Sequence, residues 1–235
     1  MYRKRNYAYV VVYLEVCEPN QSTRKNIMKN DLIFYHAPHS RALAVSILLD
    51  ELGVPFERRV LNLNKNEQRG AAYLAVNPMG KVPAIVHNGA VVTEQVAIFI
   101  YLADAFPQKK LAPAIGDPLR GPYLRWLTFY AACLEPAVSD KAAKHPPVDP
   151  RMTGYGDYDT VIKTLDSQLA KGPYLLGVQY TAADILWGCA LDWLTQYKLV
   201  PETPAIKAYL ARMSERLNFP KRRAEDAALA AQQGK

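Results

Sequence analysis

A proline-containing segment and the acidic helix start that follows it constrain this chain more than any other feature. Residues 77–85 read Asn-Pro-Met-Gly-Lys-Val-Pro-Ala-Ile, and residues 93–98 read Thr-Glu-Gln-Val-Ala-Ile. Because proline fixes φ and lacks a backbone N–H, Val82-Pro83 is a poor central-strand dipeptide. A cis bond, which is essentially confined to proline, would present the Val82 backbone to a partner outside the sheet. The pattern predicts a loop, two hairpin strands and a helix that begins near Glu94.

The composition excludes several classes of protein. The chain has 235 residues, half of them apolar, which is enough for one large domain or two small ones. The net charge of +7 is spread along the chain and forms no basic-aromatic stripe, so we expect no nucleic-acid partner. Cys17, Cys133 and Cys189 are far apart and form no Cys-X-X-Cys pair. We therefore expect no metal site, no dithiol redox centre, and a reducing, cytoplasmic location.

Residues 1–30 differ in pattern from the rest of the chain. They contain one apolar run, Ala8–Leu14, which is too short to span a membrane. The basic start and short apolar run faintly resemble a secretion signal, but the small-residue cleavage pattern is missing. We expect residues 1–30 to be a poorly ordered extension and expect no association with a membrane.

Residues 31–108 combine strand and helix patterns. Short apolar or alternating runs indicate strands, and apolar residues at helical spacing indicate helices. Gly53 and Pro107 mark the ends of the two longer helices. The predicted order is strand, helix, strand, short helical turn, two hairpin strands and helix, at 32–35, 41–52, 55–63, 71–76, 82–86, 90–93 and 96–106.

Residues 116–235 contain only helical patterns, which predicts an all-α domain. Prolines at 107, 113 and 118 mark the boundary with the preceding α/β domain. Thr181 and Asp184 have the spacing of a capping box at a helix start, which is a folding signal rather than a catalytic one. Five helices are predicted, at roughly 118–143, 157–171, 181–197, 203–217 and 220–232.

From Asp31 to about Gln233 the chain resembles a cytosolic glutathione S-transferase. The order of elements, the Val82-Pro83 segment, the acidic helix start and the capping box carry this resemblance together. Residues 34–41, FYHAPHSR, are similar to the FYxxPxSR start of bacterial members. The resemblance implies a thioredoxin-like α/β N-terminal domain, an all-α C-terminal domain and a homodimer.

The resemblance also implies the chemistry. The expected reaction joins the thiolate of glutathione, a cosubstrate, to a small hydrophobic electrophile, and it needs no metal. Glutathione-dependent isomerases, dehalogenases, ether-cleaving enzymes and peroxidases share the scaffold, so these reactions stay open. A non-catalytic interaction module is a further alternative, because fold alone does not dictate function.

A short set of residues is expected to bind glutathione. The Val82 backbone, held before Pro83, can pair with the cysteinyl amide in the manner of strand addition. The helix start at Gln95 offers free N–H groups to the γ-glutamyl carboxylate, and Glu94 can accept from the α-amino group. Many family members have Ser or Thr where this chain has Gln95. Lys81 is either a contact for the glycyl end or a solvent-exposed lysine.

Two hydroxyls compete for activation of the thiol. Lowering its pKa from ~8.5 by about two units requires ~2.7 kcal/mol. One hydrogen bond to an anion supplies roughly 1.5–3 kcal/mol, and a helix N-terminus adds ~0.3–1 kcal/mol. Tyr35 matches the tyrosine of the tyrosine-type classes and Ser40 the serine of the serine-type classes. We favour Ser40, since it opens a helix and precedes Arg41; a cysteine-type site is disfavoured because neither position is Cys.

The electrophile is expected between the two domains, where ligand clefts are common. The predicted walls are the loop at 36–39, through His39, and the long helix after residue 118, through Tyr123, Trp126 and Tyr130. An aromatic stripe at helical spacing is also the pattern of a buried core. The sequence shows no acidic partner for His36 or His39, so neither is assigned as a general base.

Overall fold

The computed structural model describes residues 31–234. The extension predicted at residues 1–30 lies outside the described residues. Four strands occupy the first part of the described chain: β1 (Leu32–His36), β2 (Glu57–Val60), β3 (Ala84–His87) and β4 (Ala90–Val92). Nine α-helices are described within 31–234: α1 (Ala42–Leu52), α2 (Ala71–Leu74), α3 (Gln95–Ala105), α4 (Arg120–Phe129), α5 (Glu135–Ala142), α6 (Tyr158–Leu169), α7 (Ala182–Gln196), α8 (Pro204–Ser214) and α9 (Asn218–Gln233).

The strands form one mixed sheet in the order β2-β1-β3-β4. The β1 and β2 strands are parallel, and α1 provides the crossover between them. The β3 strand is antiparallel to both β1 and β4. This arrangement, followed by helices only, confirms the expected thioredoxin-like domain and all-α domain.

Strand β3 begins two residues later than predicted. It starts at Ala84, directly after Pro83, which has no N–H to donate to a ladder. The Val82-Pro83 peptide bond is cis, which confirms the expectation from the sequence. Strand β2 is also shorter than the alternating pattern at 55–63, since pairing with β1 ends at His36 and Val60.

The two faces of β1 pack against different groups of residues. Leu32 and Phe34 enter the large core that the sheet shares with α1, α3 and the C-terminal helices. Tyr35 points to the other face and joins a small cluster with Tyr73 and Ala84. Because successive side chains of a strand alternate between faces, this placement follows directly from the register of β1.

Helix α1 lies between the sheet and the C-terminal helices. It contacts α3, α7 and α9 in addition to β1. Its apolar residues are buried almost without exception, as a helix covered on several sides requires. Gly53 ends it with φ 59°, and its N–H donates to the carbonyls of Leu49 and Asp50.

The long helix predicted at 118–143 is one helical run with a change of geometry in the middle. Helix α4 ends at Phe129, a π-helical segment covers Tyr130–Leu134, and α5 follows with Pro136 in its first turn. Proline has no N–H to donate to the preceding turn, and the π-helical change in the hydrogen-bond pattern lies directly before it. The π segment lies beside the cleft described below.

The capping box is confirmed at the start of α7. Asp184 accepts from the Thr181 backbone N–H at 2.9 Å, and its other oxygen accepts from Leu175 N at 2.9 Å and the Tyr209 hydroxyl at 3.1 Å. The carboxylate is fully buried, and these bonds satisfy it. None of the helices within 31–234 has both the length and the apolar character needed to cross a bilayer.

Candidate functional site

A cleft of about 150 Å³ lies where the loop after β1 and the start of α3 meet the C-terminal helices. Four of the predicted site residues line it, namely His39, Ser40, Gln95 and Tyr130. The remaining walls come from α1, α5, α7 and α9. The cleft therefore lies between the two domains.

Ser40 lies at the N-terminal end of α1, two residues before the helix begins. Its hydroxyl donates to the Ala37 carbonyl at 2.6 Å and accepts from the Ala42 N–H at 3.2 Å. The second bond satisfies one of the free N–H groups of the first turn. Because a hydroxyl has a single proton, Ser40 can donate to a thiolate only by releasing the Ala37 carbonyl.

His39 holds an unusual backbone conformation directly before Ser40. Its φ is 53°, in the left-handed region that costs a residue with a Cβ about 1–2 kcal/mol. The His39 N–H donates to Asp226 Oδ2 of α9 at 2.8 Å, while its imidazole is mostly exposed. The turn that presents Ser40 is thus held by a side chain from the other end of the chain.

The structure corrects the expectation that the loop histidines lack an acidic partner. Nε2 of His36 lies 3.0 Å from Oδ1 of Asp226, and both side chains are buried. Nδ1 of His39 is 3.9 Å from Oδ2 of the same carboxylate. Sequence reasoning missed Asp226 because 187 residues separate it from His39 and no local motif surrounds it.

Tyr35 is placed outside the cleft. Its ring packs against Tyr73 with centroids 5.3 Å apart, and its hydroxyl accepts from Arg59 Nη1 at 3.1 Å. The side chain is buried on the face of β1 opposite to Phe34. Of the two competing hydroxyls, the geometry brings Ser40 and not Tyr35 into the cleft.

The Asn-Pro-Met-Gly turn has a specific backbone geometry. The Asn77 side chain accepts from Met79 N at 3.1 Å, and Gly80 N donates to the Asn77 carbonyl at 2.8 Å. Gly80 has φ 60°, and a Cβ there would lie 2.8 Å from the Gln68 carbonyl oxygen. Glycine is therefore required both by conformation and by space.

This turn fixes the backbone immediately before Val82. The Lys81 carbonyl accepts from the Tyr73 hydroxyl at 2.5 Å and from Asn77 Nδ2 at 2.8 Å. Within residues 31–234 the Val82 N–H and C=O have no hydrogen-bond partner, whereas Pro83 is buried behind them. The Lys81 side chain is exposed and forms no ion pair with the described residues. A free backbone donor and acceptor at one residue suit an extended peptide.

Helix α3 begins without a side-chain cap. Its N-cap residue, Glu94, has φ 62°, a strained value for a residue with a Cβ, and its side chain is exposed. The Gln95 side chain does not cap the helix; instead its Nε2 donates to the Arg41 carbonyl at 2.9 Å. Gln95 therefore links the starts of α3 and α1, and the first-turn N–H groups of α3 lack a side-chain acceptor.

Three of the side chains that line the cleft form a hydrogen-bonded polar cluster. Arg41 donates from Nε to Glu135 Oε1 at 2.8 Å and from Nη2 to Oε2, and the Tyr130 hydroxyl donates to the same carboxylate. The Glu135 hydrogen bond raises the pKa of Arg41, and burial raises the pKa of Tyr130 well above its usual value. At neutral pH both groups therefore remain hydrogen-bond donors.

The expected cleft walls at Tyr123 and Trp126 are wrong. Tyr123 is fully buried, and this burial raises the pKa of its hydroxyl. The Trp126 ring packs edge-on against Trp187 at 5.8 Å, and its carbonyl accepts from Trp187 Nε1 at 3.0 Å. Both residues lie on the core face of α4, so the aromatic stripe is a packing pattern at these two positions. Tyr130 alone of the three lines the cleft.

The apolar wall comes instead from α7, which sequence reasoning missed. Leu186, Ala190, Trp193 and Leu194 line the cleft, together with Cys189, whose thiol pKa is raised by burial. Their spacing at i, i+4, i+7 and i+8 is that of a single helix face. This signal was present in the sequence, but nothing in it separated a cleft face from a core face. Trp193 is 48% exposed, so its ring is available to a ligand.

Comparisons with known proteins identify the family of this chain. The family model for the glutathione S-transferase N-terminal domain matches residues 30–104, and the model for the C-terminal domain matches residues 154–216. Glutathione S-transferase GstA of Escherichia coli O157:H7 is 30% identical over 185 residues, covering 77% of this chain and 92% of that protein. The chain therefore belongs to the glutathione S-transferase family, and it is a glutathione transferase.

Solved structures show the same fold. A glutathione transferase from Methylococcus capsulatus is 30% identical with a TM-score of 0.71, and covers 84% of this chain and 99% of its own. A sphingomonad glutathione S-transferase in complex with glutathione is 28% identical with a TM-score of 0.70, covering 83% and 98%. Within residues 31–234 no group of three or more His, Cys, Asp or Glu is placed to hold a metal ion.

Proposed function

We propose that this enzyme binds glutathione along the edge of its first domain and transfers the thiolate to a small hydrophobic electrophile in the cleft. The observation that carries the proposal is the position of Ser40. Its hydroxyl lies at the start of α1 and lines the cleft, whereas the competing Tyr35 hydroxyl is engaged by Arg59 on the other face of the sheet. In this proposal Ser40 is the catalytic residue that donates to the thiolate.

Four features of the chain support glutathione as the cosubstrate. The unpartnered N–H and C=O of Val82 suit the cysteinyl backbone of a peptide. The uncapped start of α3 at Gln95 suits the γ-glutamyl carboxylate, and the exposed Glu94 carboxylate suits the α-amino group. The exposed Lys81 ammonium suits the glycyl carboxylate. The related sphingomonad enzyme was solved with glutathione, which supports the same ligand for this chain.

The cleft supports an electrophile that is largely apolar. The lining includes the α7 face with Leu186, Ala190 and Trp193, together with the Arg41–Glu135 ion pair. Because Arg41 already has a carboxylate partner, it offers little free positive charge to an anionic substrate. A flat, neutral molecule stacked on Trp193 fits this surface best.

The test is to titrate the thiol of bound glutathione by its thiolate absorbance in the ultraviolet. In the wild type the bound thiol should titrate well below its free pKa, and Ser40→Ala should return it toward ~8.5. Tyr35→Phe is the matched hydroxyl deletion and should leave the titration unchanged. If only Tyr35→Phe raised the pKa, Ser40 would not be the activator. If the wild type bound no glutathione, the proposed function itself would fail.

We also propose that the enzyme is a cytoplasmic homodimer, on the basis of its family. The expected interface joins the first domain of one subunit to the helices of the other. Light scattering of the purified chain should give twice the monomer mass of 26.3 kDa. A single monomeric species at micromolar concentration would contradict the dimer.

A further inference from the structure

A buried carboxylate from the last helix lies behind the loop that presents Ser40. Asp226 of α9 is only 5% exposed, yet it lines the cleft and contacts the loop at two points. Oδ2 accepts from the His39 backbone N–H at 2.8 Å, and Oδ1 lies 3.0 Å from His36 Nε2. Burying a carboxylate is costly unless it is hydrogen-bonded, and within the described residues the donor to this one is the His39 N–H, whereas Oδ1 accepts no hydrogen bond.

The loop that Asp226 contacts is strained at the residue before the serine. His39 adopts a left-handed φ of 53°, which a residue with a Cβ rarely keeps without support. In the described chain the only hydrogen bond of the His39 N–H is to Asp226. Without that acceptor, the N–H would be left unpaired beside a buried surface, and the turn could relax to an extended conformation. The direction of the Ser40 hydroxyl would then change.

Helix α9 is fixed in place independently of this contact. Arg222 donates from Nε to Asp50 of α1 at 2.7 Å, and Glu225 lies 3.5 Å from Arg58 of β2. The Gln233 side chain donates to the Leu61 carbonyl at 3.2 Å. Asp226 is therefore attached to a helix that is anchored on both sides of the loop, and it can act as a rigid support.

We infer that Asp226 is a positioning residue for catalysis, which holds His39 in its left-handed conformation so that Ser40 faces the thiol of glutathione. This inference rests on the proposed function only for the identity of the thiol. Within the described residues no hydrogen bond joins the carboxylate to Ser40, so it acts through the backbone of His39, the residue directly before the serine. The C-terminal helix is by this account part of the catalytic assembly.

The first measurement needs no substrate. Amide hydrogen exchange of the full chain should show the amides of residues 39–42 exchanging about tenfold or more faster in Asp226→Ala than in the wild type. Asp226→Asn keeps an oxygen acceptor for the His39 N–H and should retain most of the protection. Glu215→Ala, which removes an exposed carboxylate directly after α8, is the matched control and should leave these amides unchanged. Unchanged exchange in Asp226→Ala would overturn the inference whatever the enzyme binds.

The second measurement tests whether the loop contact changes the pKa of the bound glutathione thiol. In Asp226→Ala the pKa of the bound glutathione thiol should rise by about one unit or more, although Ser40 is intact. Glycine adopts positive φ without cost, so His39→Gly should make the site less dependent on Asp226. The Asp226→Ala effect on the thiol pKa should therefore be smaller in the His39→Gly background, as a double-mutant cycle detects.

The outcomes separate the two claims. If Asp226→Ala loosened the loop and left the thiol pKa at the wild-type value, the positioning role would be wrong and Asp226 would be only structural. If the effect of Asp226→Ala were equal in both His39 backgrounds, the support of the left-handed turn would be wrong. If the wild-type thiol were not acidified, the proposed function would fail, while hydrogen exchange would still decide the loop contact.

Discussion

The two sides of the cleft are built in different ways. The groups assigned to glutathione are mainly backbone groups in short segments of the first domain, around Ser40 and Gln95, which line the cleft, and around Val82, which is not among its lining residues. The opposite side consists of side chains from helices that are distant in sequence, such as Glu135 and Trp193. Backbone recognition depends on local turn geometry, whereas a side-chain wall depends on how helices pack. Backbone recognition can therefore be predicted from short sequence motifs, whereas a side-chain wall cannot.

We expect the largest effect on catalysis, measured as kcat/KM, from removing the Ser40 hydroxyl. Ser40→Ala removes one charge-assisted hydrogen bond, worth roughly 1.5–3 kcal/mol, so kcat/KM at neutral pH should fall about 10- to 150-fold. The KM for glutathione should change little, because the hydroxyl acts on the thiol and not on the peptide. Steady-state kinetics with a chromogenic aryl halide measures both values. A fall in affinity for glutathione without a fall in kcat would assign Ser40 to binding instead.

The next largest effect is expected on the free energy of unfolding, at the ion pair between Asp50 of α1 and Arg222 of α9. Although burial alone would raise the pKa of Asp50, its hydrogen bonds to Arg222 and Lys221 hold it below the usual value. Asp50→Asn should lower the free energy of unfolding at pH 7 by about 1–2 kcal/mol, measured by urea denaturation.

The pH dependence of this loss has a defined sign. A carboxylate with a lowered pKa in the folded state stabilises the fold above the unfolded value of ~3.9. This stability disappears as the pH falls through the lower folded value, so the difference between wild type and Asp50→Asn should shrink below pH ~4. Asp149→Asn, in an exposed pair with Arg151, is the control and should leave the melting temperature unchanged. A difference that persisted at low pH would exclude the ion pair as its cause.

A smaller effect is expected from the apolar wall. Trp193→Ala should raise the KM for an aromatic electrophile roughly 2- to 12-fold, which corresponds to a lost stacking contact of about 0.5–1.5 kcal/mol. The affinity for glutathione, measured by calorimetry, should not change. Tyr197 stacks on Trp193 with centroids 4.7 Å apart but does not line the cleft, so Tyr197→Ala is the matched control. Equal effects of the two variants would mean that the electrophile does not stack on Trp193.

The smallest effect is expected at Lys81. Exposed ion pairs contribute about 0.2–1 kcal/mol, so Lys81→Ala should weaken glutathione binding roughly 1.5- to 5-fold. Because exposed charges are screened by salt, the difference should be reduced at ~1 M salt. Lys65→Ala, at an exposed position in the loop after β2, is the control for general surface charge. A salt-independent effect would indicate that Lys81 does not act through charge.

The sequence predicted most of the fold because its signals are local. The apolar run of strand β1, the apolar face of α1 and its stop at Gly53 each depend on residues that are close together in the chain. The cis bond before Pro83 and the capping box of α7 belong to the same class. Element ends were less accurate, since the pairing of β2 with β1 decides where that strand stops.

The site was predicted less completely for a physical reason. Tyr123 and Trp126 have the same residue types and helical spacing as cleft-lining aromatics, and only tertiary packing buries them, in the case of Trp126 against Trp187 of α7. Arg41 and Glu135 are 94 residues apart, so their ion pair has no local signature. A side chain joins a distant partner only when the core between them has formed.

The sequence by itself determined the family and the order of elements, and it predicted the residues on the backbone side of the site. Those properties follow from proline, glycine and capping residues, which act on their immediate neighbours. Only the tertiary structure decided which hydroxyl enters the cleft, which helix forms the apolar wall and which acid supports the loop. The register of β1 turns Tyr35 away from the cleft, and the docking of α9 brings Asp226 to His39. Neither event is specified by residues close to each other in the chain.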